Sequence, residues 1–314
     1  MKYLNDYLRE MERDPDSRPR SRRAAAWRRT QRQAEESATL VESTENVEGG
    51  FTPSFHGSRH EHAWIAKYLG QFYHDHVILD VLRQVKGGKE ATVYCCAAHP
   101  ATGAALIAAK VYRPREFRTM RNDALYRQGW SARDEHGKET FGRREHLAMQ
   151  KKTGFGMELR HSAWVGNEFA ALRALHAAGA DVPRAYAHSD NAILMEYFGT
   201  RQAPAPTLHE VRLDAAHAPR LFARLLENIE IMLGQGRVHG DLSAHNILYW
   251  DDRATIIDFP QAVDPLINPE ARALLERDVA RVCQYFARYG LAADPARLAA
   301  DWWRRYVLTG PEGG

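Results

Sequence analysis

Cysteine is scarce: Cys95, Cys96 and Cys283 are the only thiols in 314 residues, an odd number with no CxxC spacing. That argues against a zinc knuckle and a disulfide framework, and the three are expected to be packing residues in a reducing compartment. Long apolar runs are missing as well, none approaching the roughly 18 residues that a membrane-crossing helix requires. The opening "MKYLNDYLREMERD" has no apolar stretch of the kind a secretory leader carries, so a cytoplasmic chain with no membrane partner is expected. Nor is there a large excess of one charge: 43 Lys and Arg against 40 Asp and Glu leave +3. With 44% hydrophobic and 26% charged residues, the composition is that of a folded globular protein, not of a fibrous or wholly disordered one.

The charge that is present is unevenly spread. "RPRSRRAAAWRRTQR", residues 18–32, holds seven arginines and no acid around Trp27. Such a run can neutralise phosphates and stack on unpaired bases, or it can be a solvated tail without a ligand. With the Ser-, Thr-, Glu- and Gly-rich stretch after it, residues 1–58 are expected to be an Arg-rich, partly disordered extension, and residues 59–314 the ordered domain. "HEHAWIAKYLGQFYHDHVILDVLRQV" spaces its apolar residues by three and four, as a helix leading into a strand would. "VLRQVKGGKEATVYCCAAHPATGAALIAAKVYR" reads as three successive antiparallel strands joined by a Gly-containing turn and by HPATG. Residues 113–160 have no clean period and predict a long flexible or partly helical loop. "SAWVGNEFAALRALHAAG" predicts a helix stopped by Gly, "AILMEYFG" a short buried strand, and further helices are predicted at about 218–235, 270–289 and 295–307. A sheet-containing N-lobe over about 59–197 and a mainly helical C-lobe over about 198–314 are therefore expected.

"VHGDLSAHNILYW" and "TIIDFPQAV" place Asp241, Asn246 and Asp258 beside apolar runs, where an unpaired carboxylate is heavily penalised. Phosphoryl transfer supplies a reason, because it needs metal ions on the phosphates, a cation, and a group that orients the nucleophile. D-x-x-x-x-N is the spacing at which a kinase catalytic loop sets its Asp against the incoming hydroxyl and its Asn on Mg²⁺. Mg²⁺ takes oxygen ligands and keeps several waters, so Asn246, Asp258 and nucleotide phosphates form a sufficient set. Lys110, on the inward-alternating strand "LIAAKVYR", fits the cation on the phosphates, although an isolated strand lysine usually snorkels to solvent. Glu168 is the candidate partner for Lys110, with Glu158 as runner-up. Gly87 and Gly88 let backbone N–H groups approach a phosphate, although a plain hairpin turn is the usual reason for two glycines. His239 is expected to be a structural hydrogen-bonding residue, His245 to be exposed or near the substrate, and Trp302 and Trp303 to pack a helix.

On these residues the chain resembles the RIO family of atypical serine/threonine protein kinases. "GGKEATVY" is similar to that family's GKEA(N/T)VY phosphate loop, "HGDLSAHNILY" to its catalytic loop, and "IIDFPQAV" to its IDxxQ(A/S)V metal loop. The matching motifs span about residues 65–290 in the family's order. The resemblance implies an α+β, two-lobed protein-kinase-like fold, with an antiparallel-sheet N-lobe and a mainly helical C-lobe, lacking the activation loop and the peptide-docking helices. It implies ATP and Mg²⁺, or Mn²⁺, as cofactors, a Lys110–Glu168 ion pair, Asp241 as the catalytic Asp, and Asn246 and Asp258 as metal ligands. Gly87, Gly88, Lys89, Glu90 and Val93 would belong to the phosphate loop, Met195 would be the gatekeeper, and the backbones of Glu196 and Phe198 would meet adenine. It further implies autophosphorylation on Ser, or an ATPase cycle through a phosphorylated Asp258. The implied partners are a protein substrate or the chain itself, and rRNA or the small ribosomal subunit, whose maturation the family serves, met through the Arg-rich segment.

The chain departs from the family in places. Ala244-His245 stands where Glu-Tyr or Glu-Phe is common, and "QVKGG" replaces a Ser-Thr-Gly lead-in. With no winged-helix front, this points to a divergent branch nearest the first, wingless subfamily, and the Ala- and Arg-rich composition to a bacterial member. Two other readings share these motifs: a small-molecule phosphotransferase of the aminoglycoside or choline kinase type, and a nucleotide-switched RNA-binding scaffold worked by the Arg-rich segment.

Overall fold

The computed structural model describes residues 51–88, 90–113 and 154–309. The Arg-rich segment 18–32, Lys89 and residues 114–153 of the expected flexible loop lie outside them. The chain divides into two compact units, Met1–Thr52 with His56–Lys67, and Pro53–Phe55 with Tyr68–Gly314; the second carries both lobes. Helix α1, Arg59–His74, starts in the first unit, where Ser58 and Glu61 form a reciprocal capping box.

Five strands make one sheet: β1 (Ile78–Gly87), β2 (Ala91–Ala98), β3 (Leu106–Tyr112), β4 (Ala185–His188) and β5 (Ala192–Glu196), ordered β1-β2-β3-β5-β4 and antiparallel throughout. The three strands expected from the sequence are the first three. β3 and β5 are almost continuously buried, as strands covered on both faces must be, and all three cysteines are buried packing residues. The HPATG turn is a short 3₁₀ segment in which His99 Nδ1 accepts from the Ala101 N–H at 3.2 Å.

Helix α2 runs over Gly154–Ala177, so the expected loop is helical across its described end, residues 154–160. Gly154 and Gly156, poor helix formers, hide the period there. The helix stops as expected at a glycine: Gly179 takes φ 84°, and the Ala180 N–H returns to the Leu175 carbonyl at 3.0 Å.

The C-lobe comprises α3 (Ala218–Gly234), the hairpin β6 (Ile247–Trp250) and β7 (Arg253–Ile256), α4 (Ala271–Ala287) and α5 (Pro295–Trp303). Leu221, Leu225, Ile229 and Met232 recur at helical spacing and bury one face of α3. Asp294 caps α5 by accepting from Ala296 and Arg297, and Trp302 is buried while Trp303 packs at the core's edge, a packing role as expected. A single apolar cluster runs from Trp164 and Leu172 of α2 through α3 to Val279 and Phe286 of α4, so one core joins the lobes. Between Asp258 and α4 lie only residues 259–270, and no helix is inserted among them. The two-lobed α+β arrangement is the expected one. Among the described residues, no helix is long and apolar enough to cross a membrane.

The lobes are also tied by a polar knot at Asp181, between α2 and β4. Its N–H donates to Asn228 Oδ1 and its carboxylate accepts from Asn228 Nδ2, each at 2.8 Å, while Arg224 Nε donates at 2.6 Å. Asn228 is fully buried on α3, so losing it strands polar groups out of water. Asn228→Leu is expected to destabilise the protein by about 1–3 kcal/mol in urea unfolding.

Candidate active site

Strand β3 sits between β2 and β5 with Lys110 opposite Val93 and Ile193, which carries its side chain into the space between the lobes. Its ammonium makes two ion pairs, to Glu168 Oε1 at 2.8 Å and to Asp258 Oδ1 at 2.6 Å. Burial alone would depress the lysine's pKa, but Asp258 and Glu168 outweigh it and hold the ammonium protonated. Glu168 is pushed up by its own burial against the pull of Lys110. For Asp258, burial also pushes up, but the nearby lysine prevails and the carboxyl lies below its ordinary range. Asp258 keeps 46% of its side-chain surface open, so its carboxylate is accessible and does not lie in a sealed core. Its backbone is left-handed, φ 73°, a conformation Asp tolerates better than most residues.

Two aromatic residues complete this corner. Tyr112, two positions along β3 and so on the same face as Lys110, donates its hydroxyl to Glu168 Oε2. Trp164, one turn before Glu168 on α2, stacks edge-on against Tyr112 and donates its indole N–H to the Pro260 carbonyl at 3.1 Å. Helix α2 thus holds both Lys110 and the backbone just after Asp258. Glu158, the runner-up, is exposed near the start of α2.

The Asp241 side is built by backbone. Gly240 takes φ 79°, and α4 clasps the loop around it. Asp278 accepts from the Gly240 N–H at 2.7 Å and the Leu242 N–H at 3.1 Å, and Arg277 donates to the Gly240 carbonyl. Burial pushes the Asp278 carboxyl up to about 7, against the pull of these backbone donors and of Arg277. His239 Nδ1 accepts from the Asp241 N–H at 3.2 Å, so its proton sits on Nε2 and is donated to the Ile257 carbonyl at 3.1 Å. Burial lowers the His239 pKa, in keeping with this neutral tautomer and with the structural role expected of it. Asn246 Nδ2 donates to the Asp241 carbonyl at 2.9 Å, which leaves the amide oxygen for a ligand. The Asp241 carboxylate is half exposed and meets Arg281 of α4 at 2.9 Å. His245 is exposed, stacked on His209 with ring centroids 3.9 Å apart.

The remaining expected residues line the N-lobe side. Met195 is buried on β5 opposite Ala108. The Glu196 N–H donates to the Arg184 carbonyl at 2.8 Å, and the Phe198 carbonyl accepts from the Ala205 N–H at 2.9 Å. Gly87 closes β1 opposite Thr92, and a Cβ on Gly88 would stand 3.0 Å from the Ala91 carbonyl oxygen. The Glu90 carbonyl accepts from Arg113, and Val93 is half-buried. Tyr112, Trp164, Arg277, Asp278 and Arg281 were not anticipated. The alternation from Lys110 to Tyr112 and the four-residue step from Trp164 to Glu168 were available signals; the α4 residues carried none.

The RIO domain model matches residues 93–298. The chain is similar to the RIO-type serine/threonine-protein kinase Rio1 of Haloferax volcanii, 33% identical over 233 residues, 73% of this chain and 69% of that protein. Rio1 of Thermoplasma acidophilum is 33% identical over 135 residues, 43% of this chain and 69% of the relative. Rio1 of Methanocaldococcus jannaschii is 33% identical over 208 residues, 65% of this chain and 62% of the relative.

Asp278 gives the site a pH signature. The folded protein holds this proton more tightly than the unfolded chain, so its contribution to stability is full below about pH 4 and is lost as pH rises through about 7. Asp278→Asn is expected to flatten the fall in melting temperature between pH 5 and 8, which thermal unfolding across that range would read.

Proposed function

The chain belongs to the RIO family, and we propose that it is an ATP-dependent serine/threonine protein kinase of the RIO type, with autophosphorylation and ATP hydrolysis as accompanying activities. The observation that carries this reading is the buried Lys110 ammonium shared between Glu168 and Asp258, close to a catalytic-type loop with Asp241 and Asn246 five residues apart. In this reading, Lys110 meets the nucleotide's phosphates, Val93 and Met195 border the adenine pocket, and Gly87 and Gly88 let the phosphate loop approach closely. Asp241 accepts the hydrogen bond of the acceptor hydroxyl and orients its oxygen toward the γ-phosphorus.

Asp258 and Asn246 offer only hard oxygen donors, which suits Mg²⁺. Asp258 and Asn246 would hold the ion, and its charge would offset that of the phosphates. Asp258 keeps exposed carboxylate surface beside its bond to Lys110, so it can also accept a phosphoryl group as an acyl phosphate. The acceptor is a Ser hydroxyl of the chain itself or of a partner protein, in the maturation of the small ribosomal subunit. Residues 18–32 supply the contact with rRNA, and the chain works in the cytoplasm.

With [γ-³²P]ATP and Mg²⁺, the full chain is expected to label itself or to release phosphate. Asp241→Asn should lower turnover by about 10²–10⁴-fold. Label that survives acid lies on Ser, and label released by hydroxylamine and lost in Asp258→Asn lies on the aspartate. Label moved to an aminoglycoside, or turnover indifferent to Asp241, would overturn the reading. Deleting residues 18–32 is expected to abolish binding to small ribosomal subunits in sedimentation while leaving ATP hydrolysis unchanged.

A further inference from the structure

Resting on the phosphoryl-transfer reading, we propose that Arg281 of α4 is a further catalytic residue, the guanidinium that meets the transferred phosphoryl group while Asp241 anchors it. Phosphoryl transfer requires positive charge on the group in flight, and an arginine is the side chain best shaped to hold several phosphate oxygens at once. The loop from Asp241 to Asn246 reads DLSAHN and contains neither Lys nor Arg. The ammonium of Lys110 is engaged by Glu168 and Asp258, which places it at the metal-loop carboxylate and not at Asp241. The cation at Asp241 comes from a different element.

Helix α4 is fixed against the loop by Asp278 and Arg277. Arg281 lies four residues after Arg277, on the same face of the helix, and its Nη1 stands 2.9 Å from Asp241 Oδ1. The two side chains keep 39% and 52% of their surface, so the pair is open to an incoming ligand. An exposed pair of this kind contributes little to stability, so folding alone gives no reason for it. Nη1 uses part of a fork with five N–H donors. Among the described residues, Nε and Nη2 of Arg281 have no other hydrogen-bond partner.

In the transfer, the acceptor oxygen bonds to the γ-phosphorus as the bond from that phosphorus to the β,γ-bridging oxygen breaks. The electron pair leaves with ADP, and the hydroxyl proton passes to Asp241. Arg281, bonded to the carboxylate that orients the attacking oxygen, directs its remaining donors at the equatorial oxygens of the group in flight.

The test compares full-length wild type, Arg281→Gln and Arg281→Lys in ATP turnover and in binding of Mg²⁺-ADP with and without aluminium fluoride, which mimics the planar phosphoryl group. Arg281→Gln is expected to lower kcat by about 10²-fold or more and to weaken the aluminium fluoride complex by a similar factor, with the KM for ATP, ADP affinity and melting temperature little changed. Arg281→Lys should fall between the two, and millimolar guanidinium chloride should restore part of the turnover of Arg281→Gln. Unchanged kcat and aluminium fluoride binding would overturn the assignment. So would equal losses in ADP and aluminium fluoride binding with a lower melting temperature, the mark of a purely structural residue. An active wild type indifferent to Arg281 would sink this assignment alone, whereas a wild type without Asp241-dependent turnover would sink the phosphoryl-transfer reading beneath it.

Discussion

The Lys110 ammonium, held between two carboxylates, is the constraint around which the site is organised. It joins β3 of the sheet, α2 behind it and the loop that follows β7 in one contact set. A buried pair of this kind is poor evidence for stability, because desolvation offsets most of the attraction. What it enforces is arrangement. Lys110 and Glu168 are both buried, so either one alone would be an uncompensated charge away from water, and β3 and α2 must meet if the two are to stay ionised. The left-handed backbone at Asp258 belongs to the same constraint, since it turns the carboxylate back toward the lysine where an ordinary strand end would carry on.

A second framework, made of backbone hydrogen bonds, supports the other half of the site. Asp278 binds two N–H groups of the loop, His239 links that loop to Ile257, and Asn246 closes back on Asp241. The Asn246 carbonyl then receives the Ile257 N–H at 2.9 Å, one residue before Asp258. The two acidic loops are therefore positioned against each other by backbone hydrogen bonds and by the side chains of His239, Asn246 and Asp278. With so few residues between Asp258 and α4, this helix reaches the site directly and can furnish both the buried clamp at 278 and the exposed guanidinium at 281.

How much of this was legible in the sequence depended on the kind of signal. Elements with strong periodicity or punctuation, such as the first three strands and the helix at 218–234, could be read because burial alone dictates their pattern. The trio Asp241, Asn246 and Asp258 was legible because oxygen-rich phosphate chemistry needs fixed spacing along a loop. Glu168 could be preferred over Glu158 only by its place on the helix face, and the geometry brings Glu168 to Lys110. Asp278 was not legible: an acid that serves backbone N–H groups 36 and 38 residues away leaves no local motif. The start of α2 had no legible period because Gly154 and Gly156, poor helix formers, stand in its first turn, and it fell within the stretch expected to be flexible or partly helical.

Trp164 and Glu168 are one turn apart on the same rod, and they hold different things: the indole grips the Pro260 backbone, and the carboxylate grips Lys110. A rigid helix cannot release one without straining the other. Rotating or sliding α2 by a fraction of a turn would withdraw the lysine's counter-charge and loosen the segment behind Asp258 in the same movement. Whatever shifts that helix therefore acts on Lys110 and on the backbone behind Asp258 together, while the Asp241 loop stays held by α4.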